Sequence, residues 1–163
     1  MKEGITRRER EVTDMEDIIG ILDGTKIVHI AMVDNGEPYM VPMNFGYLMQ
    51  DGKLTLYLHG AKTGKKIDIL RVNPKVFFEL ECDTVSFDGK IACQYGMAYA
   101  SVMGKGTAVL VEDVEEKKYG LSVLMKSQTG KDFEFTDRMV SIVQVIRIDV
   151  ESYTAKRRPL PNM

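Results

Sequence analysis

A mainly β domain with peripheral helices, closed into a small antiparallel barrel of six strands, is the fold class this 163-residue sequence predicts. Three observations carry that expectation. Asn35-Gly36 and Asp51-Gly52 separate apolar runs, and such pairs are strong hairpin signals. Short strand-like runs recur along the chain, whereas helical periodicity is confined to brief segments. No βαβ alternation of the kind that builds a parallel sheet accompanies them.

Each element has its own signal. Thr13-Asp14-Met15-Glu16 has the form of a capping box, and Met15, Ile18, Ile19 and Leu22 follow at helical spacing, which predicts a helix over about 14–23. KIVHIAMV, PYMVPMNFGYLM and KLTLYLH then read as a three-strand meander. In the third, Leu54, Leu56 and Leu58 face one way, and Thr55, Tyr57 and His59 face something polar or a partner. Ile67, Ile69 and Leu70 mark a second helix that Asn73-Pro74 ends, because a residue before proline disfavours helical geometry. KVFFELE is a fourth strand. Cys82 to Tyr95 lacks clear periodicity and is expected to be a long loop with a turn at Asp88-Gly89. AYASVMGKGTAVLVED resumes strand character, with a bulge or close backbone approach at Gly104 and Gly106. Asp113 and Glu116 cap a third helix running to about Lys126, Phe135-Thr136-Asp137 starts a further helical turn, and SIVQVIRIDVESY is a long final strand. A basic tail, about 155–163, shows no core-forming pattern, and the whole of 1–163 is read as one domain.

Composition narrows the function. Twenty-two Lys and Arg against 24 Asp and Glu give a formal charge of −2, without the broad positive footprint of a dedicated nucleic-acid binder. No run approaches the roughly 18 apolar residues that span a bilayer, and the charged N-terminus is unlike a secretory signal. A cytoplasmic protein without membrane or nucleic-acid partners is expected. The two cysteines, Cys82 and Cys93, have neither CxxC nor zinc spacing and are taken as structural, and the spacing of the two histidines suggests no metal.

Two segments invite chemistry. His59-Gly60-Ala61-Lys62-Thr63-Gly64-Lys65-Lys66 joins a strand to a helix. It reads either as an anion site, where free N–H groups and ammonium groups converge, or as a turn with solvated lysines. It lacks Walker A spacing. Val41-Pro42-Met43-Asn44-Phe45-Gly46 places a proline in a strand, so its main chain either receives a flat ligand or is a bulged edge with nothing bound. His29, in an apolar strand, is read as packed, and His59 is the better candidate for proton chemistry. Lys156-Arg157-Arg158 is either a solvated tail or a closure over an anion or another subunit.

Taken in order, RREREVTDMEDIIGIL, IAMVDNGEPYMVPMNFGY, DGKLTLYLHGAKTGKKIDILRVNPKVFFELE, CQYGMAYASVMGKGTAVLVED, LMKSQTGKDFEF and VIRIDVESYTAKRRP resemble the flavin-binding split-barrel family related to pyridoxamine 5′-phosphate oxidase. Within it, the nitroimidazole-resistance branch is the most similar. The resemblance implies a homodimer of split barrels with FMN in clefts at the subunit interface. It also implies that Val41, Pro42, Met43, Asn44 and Phe45 run along the isoalloxazine ring. By the same likeness His59, Gly60, Ala61, Lys62, Lys65 and Lys66 hold the phosphate end, and Tyr99, Ser101 and Lys156 complete the site from the other subunit. The implied activity is oxidoreduction, with NAD(P)H as donor and a small acceptor such as a nitroaromatic, and His59 as the candidate catalytic residue. The alternative is a non-enzymatic flavin- or haem-binding sensor on the same fold. The chain departs from the family pattern at Gly60 (often Ser), at Ser127-Gln128 (often His-Tyr) and at Ala155 (often Gly), and its ending is unlike that of vitamin B6 enzymes.

Overall fold

The computed structural model describes residues 5–161, so the ends of the expected domain and tail lie outside the described residues. Seven strands are present: β1 (Glu11–Val12), β2 (Ile27–Asp34), β3 (Glu37–Gln50), β4 (Lys53–Gly60), β5 (Lys75–Phe87), β6 (Gly96–Val111) and β7 (Gln144–Arg158). Four helices accompany them: α1 (Met15–Asp23), α2 (Lys65–Val72), α3 (Val114–Thr129) and α4 (Asp137–Ser141). All pairings are antiparallel, in the order β1-β7-β4-β3-β2-β5-β6, and β6 returns to pair with β7. Strands β2 to β7 therefore close the six-stranded barrel that the sequence predicts, and the short β1 is an addition to it.

Local chemistry sets the hairpins. At Asn35-Gly36 (φ 50° and 91°) and Asp51-Gly52 (φ 50° and 75°) both central residues have positive φ, the turn geometry that matches strand twist. Alternation then sends Val28, Ile30, Leu54, Leu56, Leu58, Phe78, Leu80, Val102, Ile146 and Ile148 into one core. Helix α1 adds Ile18, Ile21 and Leu22, and α2 adds Ile67, Ile69 and Leu70. The N-cap of α1 is Asp14, whose carboxylate accepts from Glu16 N (3.1 Å) and Asp17 N (3.2 Å), one residue later than the capping-box reading places it.

Two segments differ from expectation. Cys82–Phe87 is not loop: β5 continues through it beside β6, with a bulge between Cys82 and Val85 where Asp83 has φ 56°, and only Ala92–Gln94 form a short 3₁₀ turn. Nor is the start of the basic tail irregular, because Ala155–Arg158 extend β7 and pair with β6. The ladder between strands supplies the order that apolar periodicity does not announce.

Helix α3 covers the outer face of β3 and β4, and two glycines permit that approach. A Cβ on Gly46 would collide with the Leu124 backbone, and one on Gly120 would stand 2.6 Å from the Tyr57 ring. Tyr57, read from the sequence as facing something polar or a partner, is thus buried beneath α3 and meets Tyr119 edge-on at 5.9 Å. Arg147 on β7 binds Asp149 (2.9 Å) and Glu116, anchoring the start of the helix.

Two Gly-to-Ala changes should move stability in opposite directions. Gly46→Ala forces backbone against backbone and is expected to cost about 1–3 kcal/mol. Gly20→Ala, on α1 with nothing within 4 Å of the added Cβ, should gain about 0.5–1 kcal/mol. Urea midpoints check both; equal effects would contradict this packing.

Candidate functional site

Strand β3 is long enough to change neighbours. Phe45–Gln50 pair with β4, whereas Glu37–Asn44 pair with β2 alone, which leaves the other edge of that stretch open. Pro42 lies in the open stretch, where a missing donor does least damage to the sheet. Val41, Met43 and Phe45 lean toward the core, while Pro42 and Asn44 are exposed on the outer wall. The segment singled out in the sequence is therefore an accessible strand edge next to the end of β4.

At that end the predicted anion-site residues separate into groups. Gly60 adjoins Lys66 and Met43: a Cβ on Gly60 would stand 3.0 Å from Lys66 Cε, 3.3 Å from its Nζ and 3.9 Å from Met43 Cε. Lys66 has no hydrogen-bond or ion-pair partner among the described residues. Lys65 turns away, to Asp34 (3.3 Å) and over the Tyr39 ring (4.8 Å). Lys62 reaches across to α4 and donates to Ser141 O at 3.0 Å, while Ala61 is exposed on the connecting turn. Gly64 caps α2 without a side-chain bond; its carbonyl accepts from Ile67 N and Asp68 N, and the N–H groups of Lys65 and Lys66 have no partner among the described residues.

His59 is exposed at the edge of β4, opposite Val145 of β7. Partial burial lowers its pKa from the usual 6.5, which favours the neutral imidazole near pH 7. Tyr99, Ser101 and Lys156 are in register with the far part of β7: Tyr99 pairs with Arg158 and Ser101 with Lys156, while Lys156 also pairs with Glu11 of β1. The structure thus brings Met43, Gly60 and Lys66 together and sets Lys156 on the stretch of β7 flanked by β1 instead of β4, with Tyr99 and Ser101 beside it on β6.

The sequence did not single out Gln128 as a contact of this edge. Its side-chain amide donates to Phe45 O (2.7 Å) and Lys26 O (3.0 Å), and Asn44 Nδ2 lies 3.5 Å from its Oε1. Ser127 Oγ accepts from Tyr47 N at 3.3 Å. The end of α3 therefore holds β3 where its open stretch begins. Two packing readings also change. His29 is half-buried on the outer wall, 3.2 Å from Glu79, and Cys93 is exposed; Cys82 does pack, with its Sγ 3.8 Å from Ile21 O and its thiol pKa raised by burial. Gly104 and Gly106 serve close packing, against Phe78 and Asp149.

The architecture is that of a split barrel, and comparison with known proteins agrees. The model of the family described as pyridoxamine 5′-phosphate oxidase matches residues 14–157, so the chain belongs to that family. A candidate 5-nitroimidazole antibiotic resistance protein from Bacteroides thetaiotaomicron VPI-5482 is 32% identical, with 90% of this chain and 86% of that one covered and a TM-score of 0.77. Two more distant structures share the fold. The FAD and haem binding protein of Mycobacterium smegmatis is 17% identical, covering 94% and 76% of the two chains, with a TM-score of 0.78. The flavocytochrome Anf3 of Azotobacter vinelandii is 20% identical, covering 98% and 74%, also at 0.78. No protein of curated function matches. Among the described residues no helix is long and apolar enough to cross a membrane.

The environment of His59 has a direct check. A proton NMR titration should show its imidazole with a midpoint below 6.5, assigned by its loss in His59→Gln. A midpoint at or above that value would contradict the desolvation described here.

Proposed function

We propose that the chain is a cytoplasmic FMN-dependent oxidoreductase, a single domain over 1–163 that works as a homodimer. Its expected reaction passes electrons from NAD(P)H through flavin to a small acceptor such as a nitroaromatic. The observation that carries the reading is the Lys66 ammonium, unpaired among the described residues, beside Gly60 and borne on a helix whose N-terminus has no side-chain cap. Membership of a family that typically binds flavin gives that anion site its context.

The residues fit the group. Lys66 supplies the charge-assisted bond to phosphate, and Lys62 adds positive field from the rim. Gly60 lacks the hydroxyl frequent in relatives, but the absence of a Cβ leaves room for a phosphate oxygen to approach the main chain and Lys66. The open edge over Val41–Asn44 offers main-chain groups to the polar rim of a flat ring, and Phe45 is held in place by Gln128. When bound, the flavin supplies the redox chemistry, and the protein supplies position and field. The proposed role of His59, neutral near pH 7, is to orient ring or acceptor by a hydrogen bond.

The second copy comes from the family resemblance, and the separation of the two groups on one chain supports it. Lys156 lies eleven residues further along β7 than Val145, the partner of His59. A ligand meeting Lys66 of one chain and Tyr99, Ser101 or Lys156 therefore draws the latter from another chain. The nitroaromatic acceptor follows from the likeness to the Bacteroides protein, while FAD is named for the Mycobacterium smegmatis relative, so the flavin itself must be identified.

Protein purified without added cofactor should be yellow and release about one FMN per chain on chromatography and mass spectrometry. A colourless protein that also refuses added FMN would overturn the proposal, and FAD in its place would correct it. The phosphate assignment has a sharper test. Lys66→Met should weaken FMN binding about tenfold, the loss of a charge-assisted bond worth ~1.5 kcal/mol, and leave riboflavin binding unchanged. His59→Ala is expected to slow turnover; unchanged flavin binding and turnover would remove His59 from the mechanism.

A further inference from the structure

We propose that His29, Glu79 and Glu81 form a binding site for a divalent transition-metal ion on the outer wall of the barrel, where β2 meets β5. His29 and Glu79 are register partners on adjacent antiparallel strands, and Glu81 follows two residues on, which puts all three side chains on one face. His29 Nδ1 lies 3.2 Å from Glu79 Oε2 and 3.9 Å from Glu81 Oε2, and the three potential ligand atoms fall within 4.8 Å of one another. Nitrogen and oxygen ligands bound at about 2.0–2.2 Å to one ion stand roughly 3–3.5 Å apart, so small side-chain rotations complete the set. One imidazole with two carboxylates suits Zn²⁺, Mn²⁺ or Fe²⁺, with water filling the remaining positions.

Charge arrangement is the independent reason to expect an ion. Glu79 and Glu81 share one face of β5, and both reach toward the single imidazole of His29. A His29–Glu79 ion pair alone would account for Glu79 and leave Glu81 pressed against it. Among the described residues neither carboxylate is paired with Lys or Arg; His29 is the basic group they share. Across the sheet, Pro42 neighbours His29, Met103 neighbours Glu79, and Ser101 stands between Glu81 and Lys156. Phe77 and Met103 form an apolar border, while side-chain exposures of 32%, 33% and 43% for His29, Glu79 and Glu81 leave an ion a way in. Burial thins the competing water, and a divalent charge relieves the carboxylate contact.

The sequence hides this site because its ligands are fifty residues apart and meet only through strand pairing. All three ligands come from β2 and β5 of one chain. Isothermal titration of the chelator-treated full chain with Zn²⁺ or Mn²⁺ should give one ion per chain. Glu81→Gln and His29→Asn should each weaken it at least tenfold, with far-ultraviolet circular dichroism unchanged. The Co²⁺ form should lack the intense thiolate charge-transfer band that a site at Cys82 or Cys93 would show. Should a variant fail to fold, the His29 imidazole resonance of the unaltered chain should shift on adding Zn²⁺. Equal binding by the His29→Asn/Glu81→Gln double variant, an unshifted His29, or no uptake at millimolar ion would overturn the proposal.

Discussion

Everything in this fold depends on β7 being hydrogen-bonded along both edges. From Val145 to Arg158 it runs beside β6, and on its other side it meets β4 over Gln144–Asp149 and β1 at Ala155–Lys156. The register against β6 shifts at Glu151, where one extra residue bends the strand away from β4. Glu151 is held there by Lys75 (2.7 Å) and Thr107 (2.9 Å), whose bonds lower its pKa. Closure and splitting of the barrel are thus one event: the strand that completes the ring also leaves it, carrying Lys156 and Arg158 away from the end of β4.

Rigid packing then decides where the open surface lies. Tyr47 donates to Asp23 at 2.6 Å, and burial together with that bond raises its pKa. With Gln128 and Ser127, this fixes β3 at the point where its β4 partner stops. What remains open on β3 is a stretch whose backbone is held from one side and available from the other, near Lys66, which has no ion-pair partner among the described residues. Such preorganisation lowers the ordering cost of binding a rigid planar ligand.

Much of this was legible in the residues. Asn35-Gly36 and Asp51-Gly52 announce the meander because few residues besides glycine, asparagine and aspartate tolerate positive φ, and the alternating leucines of β4 name their own inward face. Cys82–Phe87 was not legible as strand, since its outward residues bury little and its order comes from β6, far along the chain. The same limit applied to the site. The Gly60–Lys66 cluster was visible because its members are neighbours in sequence, but nothing local showed that Lys65 turns to Asp34, or that Gln128 reaches Phe45 from a helix more than eighty residues away.

The proline-bearing stretch of β3 has another consequence, for how copies of this chain meet. A lone strand edge is a template for strand addition, and repeated addition makes fibrils. Pro38 and Pro42 interrupt the series of donors along Glu37–Asn44, so an approaching strand cannot form a continuous ladder there. Strand addition at this edge is therefore limited to broken runs, which disfavours fibril-like growth from it.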